Sequence, residues 1–295
     1  MSGGVSADVF KVETGDGRAF VVKRSIPRLR VAADWRAPIS RDASEVAWLR
    51  AVHALEPGLV PEVLAWSKER HLFVMPWLGA AQVWKAEMAA GRVDPAFAGQ
   101  VGAALARIHA AMAERADIAA AFPGDACFEA LRVDPFLIFT AARHPDIAAR
   151  LHELVEDLRR RKTTLVWGDA SPKNILVGNT GPVFLDAETA VIGDPAFDLA
   201  FCLTHLLLKT VWLAPRAAAL TASFTALADA YRPDDGLSRR AASLIGALLL
   251  ARVDGKSPAG YLDPAGEALV RRRAKALLAR DDLDVAGLRE AWPEL

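Results

Sequence analysis

Three oxygen-bearing side chains near the middle of the chain could do chemistry. Asp169 and Asn174 stand five residues apart in Trp167-Gly168-Asp169-Ala170-Ser171-Pro172-Lys173-Asn174, and Asp186 follows twelve residues later in Phe184-Leu185-Asp186. Phosphoryl transfer needs such a set. One carboxylate accepts or orients the proton of an attacking hydroxyl, while an amide oxygen and a second carboxylate hold Mg2+ against nucleotide phosphates. For Asp169 and Asn174 alone, ordinary turn chemistry weighs as heavily as catalysis. Asp186, placed after a turn between two apolar runs, tips the balance toward chemistry.

A second pair lies nearer the start. Lys23 ends the apolar run Ala19-Phe20-Val21-Val22, and Glu45 is the one glutamate between Thr14 and Leu55. An ion pair between them would aim the ammonium at the α- and β-phosphates of a nucleotide. Asp198, in Gly193-Asp194-Pro195-Ala196-Phe197-Asp198-Leu199-Ala200, reads either as a helix-start carboxylate or as a buried acceptor bracing the 169–174 loop. His109 reads as a packed histidine rather than a ligand.

The elements that must position these groups change character along the chain. Val9 to Glu13 and Ala19 to Lys23 are strand-like and meet at Asp16-Gly17, a hairpin signal. Ser40 to Leu55 has helical spacing and stops at Pro57-Gly58. Val60 to Trp66 and Leu72 to Met75 are two further strands. Phe97 to Ala120 and Asp146 to Lys162 are expected helices, as is most of the chain after Leu199. Between Leu165 and Asp186, three short apolar runs make a β island inside the helical part. The expected fold is α+β with two lobes: residues 1–78 as a small antiparallel-sheet unit and 79–295 as a mostly helical unit.

Composition agrees with a folded enzyme-sized chain. Its 295 residues are 53% hydrophobic and 24% charged, which excludes global disorder. Lys plus Arg is 36 and Asp plus Glu is 36, which argues against a general nucleic-acid binder. The average conceals local bias. Arg18, Lys23, Arg24, Arg28, Arg30, Arg36 and Arg41 face only Asp34, a basic island that could gather a polyanion. Asp169, Asp186, Glu188, Asp194 and Asp198 form an acidic group that leans toward a cationic or polyhydroxy acceptor. Two cysteines, Cys127 and Cys202, are too few for a disulfide framework. The start lacks a signal-peptide core, and the apolar runs fall short of the ~20 residues that span a bilayer, so a cytoplasmic protein without membrane or nucleic-acid partners is expected.

Taken together, these residues resemble the aminoglycoside phosphotransferase and choline kinase branch of the protein-kinase-like superfamily. The family pattern His-Gly-Asp-x-x-x-x-Asn appears as Trp167-Gly168-Asp169 to Asn174. Leu/Ile-Asp-x-Glu appears as Leu185-Asp186-Ala187-Glu188, and Gly-Asp-Pro-x-x-Asp-Leu-Ala as Gly193 to Ala200. Phe20 to Pro27, with Asp34-Trp35 and Arg41, is similar to the corresponding stretch of methylthioribose kinases. The resemblance spans roughly residues 2 to 210.

It implies a bilobal protein-kinase-like fold and ATP-dependent phosphorylation of a hydroxyl on a small molecule, such as an aminoglycoside, a sugar or a related metabolite. Asp169 would be the catalytic base and Asn174 and Asp186 the Mg2+ ligands. Lys23 and Glu45 would handle phosphates, Gly4 and Ser6 would belong to a nucleotide-covering loop, and Met75 and Trp77 to a hinge facing adenine. Two departures stand out. The family's His is Trp167 here, and no strand precedes the Ser2 to Ser6 loop, so the sheet is expected to lack an edge strand. They support the alternative, a catalytically impaired kinase-fold protein that binds a nucleotide or metabolite.

Overall fold

A computed structural model describes residues 6–30, 35–79 and 81–294. Strands β1 (Ala7–Glu13) and β2 (Ala19–Ser25) form an antiparallel hairpin. Gly17 closes its turn at φ 82°, a left-handed conformation that glycine adopts without Cβ strain. Helix α1 (Arg41–Leu55) follows, then a 3-10 turn at Pro57–Leu59 and strands β3 (Ala65–Ser67) and β4 (Leu72–Pro76). The sheet order is β1-β2-β4-β3, with every pairing antiparallel. Helix α1 buries Val46, Trp48, Leu49 and Val52. Residues 60–64 lie outside β3, although their apolar pattern predicts strand. Pro61 has no N–H to donate, and Leu59 and Val60 are already buried in the main core.

The chain then enters its helical part. Strand β5 (Gln82–Val83) leads into α2 (Trp84–Ala89), α3 (Pro95–Met112) and α4 (Ala116–Ala121). The single helix expected over Phe97 to Ala120 is thus broken. The apolar stripe ends at Met112, Glu114 turns to φ 56°, and its N–H reaches the Thr163 carbonyl at 3.4 Å; α4 buries nothing. Next, α5 (Ala126–Phe128) runs through a π-helical stretch, Glu129–Ile138, into α6 (Phe139–Arg143). Pro135 inside that stretch cannot donate a helical bond, and the wider π turn accommodates it.

After α7 (Ala148–Arg160) comes the β island. It comprises β6 (Thr164–Val166), β7 (Ile175–Val177), β8 (Pro182–Phe184) and β9 (Val191–Gly193). Strand β7 pairs with β8 and with β5, and β6 pairs with β9. Helices α8 (Ala196–Trp212), α9 (Ala217–Tyr231), α10 (Asp235–Asp254), α11 (Pro264–Leu278) and α12 (Val285–Ala291) complete the fold. Helix α8 is the core element, buried without interruption from Ala196 to Thr210. Helices α3 and α9 approach so closely that a Cβ on Gly102 would lie 2.1 Å from the Leu227 carbonyl oxygen. Among the described residues, no single helix is long and apolar enough to cross a membrane.

Candidate active site

The loop of residues 167–174 connects β6 to β7. Gly168 sits at φ 78°, and a Cβ there would lie 2.5 Å from Thr189 Oγ1, so the glycine before Asp169 is required by space as well as by conformation. The Trp167 and Gly168 N–H groups each donate to the Asp198 carboxylate at 2.7 Å. Of the two readings of Asp198, the bracing acceptor is the one observed. His109 Nε2 meets the same carboxylate at 3.1 Å, and its Nδ1 meets the Tyr231 hydroxyl at 2.8 Å, so the histidine is a buried bridge between α3, α8 and α9.

Trp167 is fully housed. Its ring stacks on Trp48 at 5.5 Å and packs against Phe184 at 5.0 Å, and its indole N–H donates to the Asp186 carbonyl at 3.3 Å. The indole thus steadies the backbone of Asp186 from below and leaves the Asp169 side chain clear.

Asp169 is buried, with Arg132 Nη2 at 2.9 Å and Lys173 Nζ at 3.1 Å from its Oδ2. Arg132 also donates to the carbonyls of Gly168 and Leu131, at 2.5 and 2.6 Å. Asn174 Nδ2 donates to the Asp169 carbonyl at 3.2 Å, which leaves its amide oxygen for the cavity. Asp186 adopts φ 64° just beyond β8. Lys23 Nζ reaches both Glu45 oxygens at 2.8 Å and Asp186 Oδ1 at 2.5 Å. Burial works against the Lys23 ammonium, but Asp186 and Glu45 outweigh it and hold its pKa above the ordinary lysine value. Burial alone would raise Asp186; Lys23 and then Lys173 reverse that and hold it at about 2. Burial pushes the Glu45 carboxyl up, with Lys23 pulling the other way.

A cavity of about 280 Å³ opens beside these groups, with Ser6, Asp169, Asn174 and Asp186 on its wall. Lys23 and Glu45 lie behind Asp186. Met75 and Trp77 are apart from the cavity, at the end of β4: pairing with β3 stops at Val74, and the Trp77 N–H is already bonded to the Ala19 carbonyl at 3.1 Å. Gly4 lies outside the described residues. Two oxygen donors, one carboxylate and one amide, suit Mg2+, which binds through few protein ligands plus substrate phosphates. Among the described residues no cluster of three or more His, Cys, Asp or Glu side chains competes for a metal.

Two charge expectations are corrected. The basic island is largely spent on partners: Arg18 on Asp16, Arg24 and Arg30 on Asp8, Lys23 on Glu45 and Asp186, and Arg41 on Glu188 at 2.9 Å and on the Ser6, Ile26 and Pro38 carbonyls. The acidic group is spent too. Glu188 is held by Arg41, Asp194 by Arg240 at 2.6 Å, and Asp198 by the loop amides.

What the sequence reading missed is cationic. Lys85 of α2, Lys209 of α8 and Arg252 of α10 line the cavity with Arg132 and Lys173. A signal was there: Lys209 is the only Lys or Arg in α8, and Arg252 closes the apolar run Ala241 to Ala251. Burial, with Lys85 and Arg252 adding repulsion, lowers Lys209 from 10.5 to about 7. The unfolded chain therefore holds a proton that the folded chain lacks between about pH 7 and 10.5, so stability rises with pH across that window and the penalty is complete below it. Lys209→Met is expected to stabilise the fold at pH 6 by about 1–3 kcal/mol, a gain that shrinks toward pH 10. Urea denaturation at the two pH values checks this; a loss of stability at pH 6 would contradict it.

A small antiparallel sheet with one helix, set against a larger helical part that carries an Asp–Asn loop and a following Asp, is the bilobal architecture of protein-kinase-like phosphotransferases. The chain belongs to the phosphotransferase enzyme family, whose family model matches residues 1–237. It is 27% identical over 232 residues to a methylthioribose kinase of Escherichia coli, an alignment covering 68% of this chain and 54% of that protein, so the chain spans about half the length of that curated relative. Similar solved structures include an aminoglycoside phosphotransferase from Alicyclobacillus acidocaldarius (TM-score 0.55, 18% identity, 97% of this chain and 91% of that one). A choline/ethanolamine kinase family protein from Mesorhizobium loti gives TM-score 0.53 at 18% identity, covering 98% and 91%. An amicoumacin kinase in complex with AMP-PNP, Ca2+ and Ami gives TM-score 0.59 at 13% identity, covering 96% and 88%.

Proposed function

We propose that this chain transfers the γ-phosphoryl group of Mg2+–ATP to a hydroxyl of a small molecule. The observation that carries this reading is the convergence of Asp169, Asn174 and Asp186 on one cavity, with Lys23 held by Glu45 immediately behind Asp186. Residues 1–78 would handle the nucleotide, and residues 79–295 would supply the catalytic loop and acceptor wall. Lys23 binds phosphate oxygens while Glu45 fixes its direction. Ser6, on the cavity wall, would belong to the covering loop, and Met75 and Trp77 would form the hinge edge. Asn174 and Asp186 would hold Mg2+, which when bound neutralises charge on the transferred phosphoryl group.

Asp169 takes the acceptor proton as the hydroxyl oxygen bonds to the γ-phosphorus and the bond to the β-phosphate oxygen breaks, releasing ADP. Arg132 and Lys173, at 2.9 and 3.1 Å, fix the direction of the Asp169 carboxylate. The alternative, ligand binding without turnover, draws on Trp167. Its indole is packed and hydrogen-bonded away from Asp169, which favours turnover.

Mg2+–ATP at a hundredfold excess over its Kd is expected to raise Tm by about 5 °C or more, and Lys23→Met to abolish the rise. Differential scanning fluorimetry measures both. A Tm unmoved by millimolar Mg2+–ATP in the unaltered chain would overturn the nucleotide assignment.

A further inference from the structure

The cavity beside Asp169 is charged in a one-sided way. Each carboxylate on its wall already has a cation: Asp169 has Arg132 and Lys173, Asp186 has Lys23, and Glu188 has Arg41. Lys85, Lys209 and Arg252 have no such partner: among the described residues, no carboxylate lies within ion-pair distance of any of them. Lys209 Nζ has one weak contact, to the His205 carbonyl of its own helix at 3.3 Å. Arg252 bonds to Ser257 through Nη1, but its buried Nε has no acceptor, and the buried Tyr261 hydroxyl beside it has no partner either.

Aromatic faces hold these cations without cancelling them. Lys85 lies 5.1 Å and Lys209 5.7 Å from the Tyr261 ring, and Arg252 lies 5.7 Å from Phe136. Their field also reaches His205, whose pKa is pushed well below the ordinary value by burial and then by Lys209, Arg252, Lys173 and Lys85. Below about pH 7, where Lys209 keeps its proton, three cations on one half-buried wall repel one another, and a bound anion relieves that cost and holds the proton on Lys209.

We infer that the acceptor is itself an anion: a small hydroxyl-bearing molecule whose phosphate or carboxylate group is held by Lys85, Lys209 and Arg252 while its hydroxyl faces Asp169. This rests on the phosphotransferase reading of the same cavity. The nucleotide's own phosphates do not account for the cluster. They meet Lys23, which comes from the sheet side behind Asp186, whereas the three cations come from α2, α8 and α10. At about 280 Å³ the cavity sits at the lower end of small-ligand sites, large enough for a single sugar or polyol unit. The same charges repel a polycationic amino sugar or a quaternary ammonium alcohol.

The test is titration calorimetry on the intact chain with ribose 5-phosphate, gluconate, inorganic phosphate, ribose, choline and kanamycin, at low and at raised salt. ADP release with the same compounds and Mg2+–ATP is followed in parallel. Ribose 5-phosphate or gluconate is expected to bind at least tenfold more tightly than ribose, choline or kanamycin, with affinity falling as salt rises; which of the two binds separates phosphate from carboxylate. Lys209→Met and Arg252→Met are each expected to weaken that binding at least tenfold while leaving the Mg2+–ATP-induced rise in Tm unchanged. Choline, kanamycin or ribose binding as well as the anions, no anion binding at all, or anion affinity within twofold in both variants would overturn the inference. Anion binding that follows these rules, with no ADP formed from any compound, would instead overturn the phosphotransferase reading and leave the anion site standing.

Discussion

Asp169→Asn is expected to lower turnover by about 10²–10⁴-fold while leaving the Mg2+–ATP-induced rise in Tm nearly intact. The amide matches the carboxylate in shape but cannot accept the acceptor's proton. Fold damage is not expected to confuse the result. Arg132 keeps its bonds to the Gly168 and Leu131 carbonyls, and Lys173 is half exposed and returns to water. The measurement is ADP release with the acceptor found by the calorimetric screen, alongside a nucleotide titration by fluorimetry. Turnover within tenfold of the unaltered chain would remove Asp169 from the role of base.

The second large effect is on stability. Asp198 is wholly buried, and its two oxygens serve the Trp167 N–H, the Gly168 N–H and His109. Asp198→Ala would strand two backbone donors and a histidine in a dry core, at a cost of about 3–5 kcal/mol. Asp198→Asn keeps one good acceptor and should lose about half as much. Urea denaturation gives both numbers. Turnover should fall along with stability even where the variant remains folded, because the two stranded amides immediately precede Asp169. An Asp198→Ala loss below about 1 kcal/mol would mean that the loop is held by something other than this carboxylate.

Much of the site could be read from residues alone, because the groups lie close together in sequence. The Asp169-to-Asn174 spacing and Asp186 after a hairpin are local patterns, and local patterns survive folding. The Lys23–Glu45 pair spans twenty-two residues yet was also readable, since a single glutamate lay within the expected helix. Charge balance was not readable. Counting acidic residues between Asp169 and Asp198 suggested a negative pocket, but Arg41, Arg132 and Arg240 reach those carboxylates from distant segments. The further cations of the cavity come from α2, α8 and α10, well over a hundred residues apart at the extremes; packing of α8 against α10 brings Lys209 and Arg252 together, and the Lys85 N–H bond to the Pro172 carbonyl seats α2 beside the 167–174 loop. Helix boundaries failed where the apolar stripe was interrupted: α3 ends at Met112 because the polar pair Glu114-Arg115 follows and Glu114 takes a left-handed turn, a break that alanine-rich composition conceals.

The 2.5 Å contact between Lys23 and Asp186 has a consequence for how the cleft loads. Each is the other's counterion across the junction between the sheet and the helical part. In the proposed reading, phosphates that draw Lys23 toward themselves would strip Asp186 of its balancing charge, and a divalent cation held by Asn174 and Asp186 would replace it. Loading would in that sense be an ion exchange: the nucleotide and its metal would enter as a neutralising couple, and either one arriving alone would leave an uncompensated charge beside the buried Glu45.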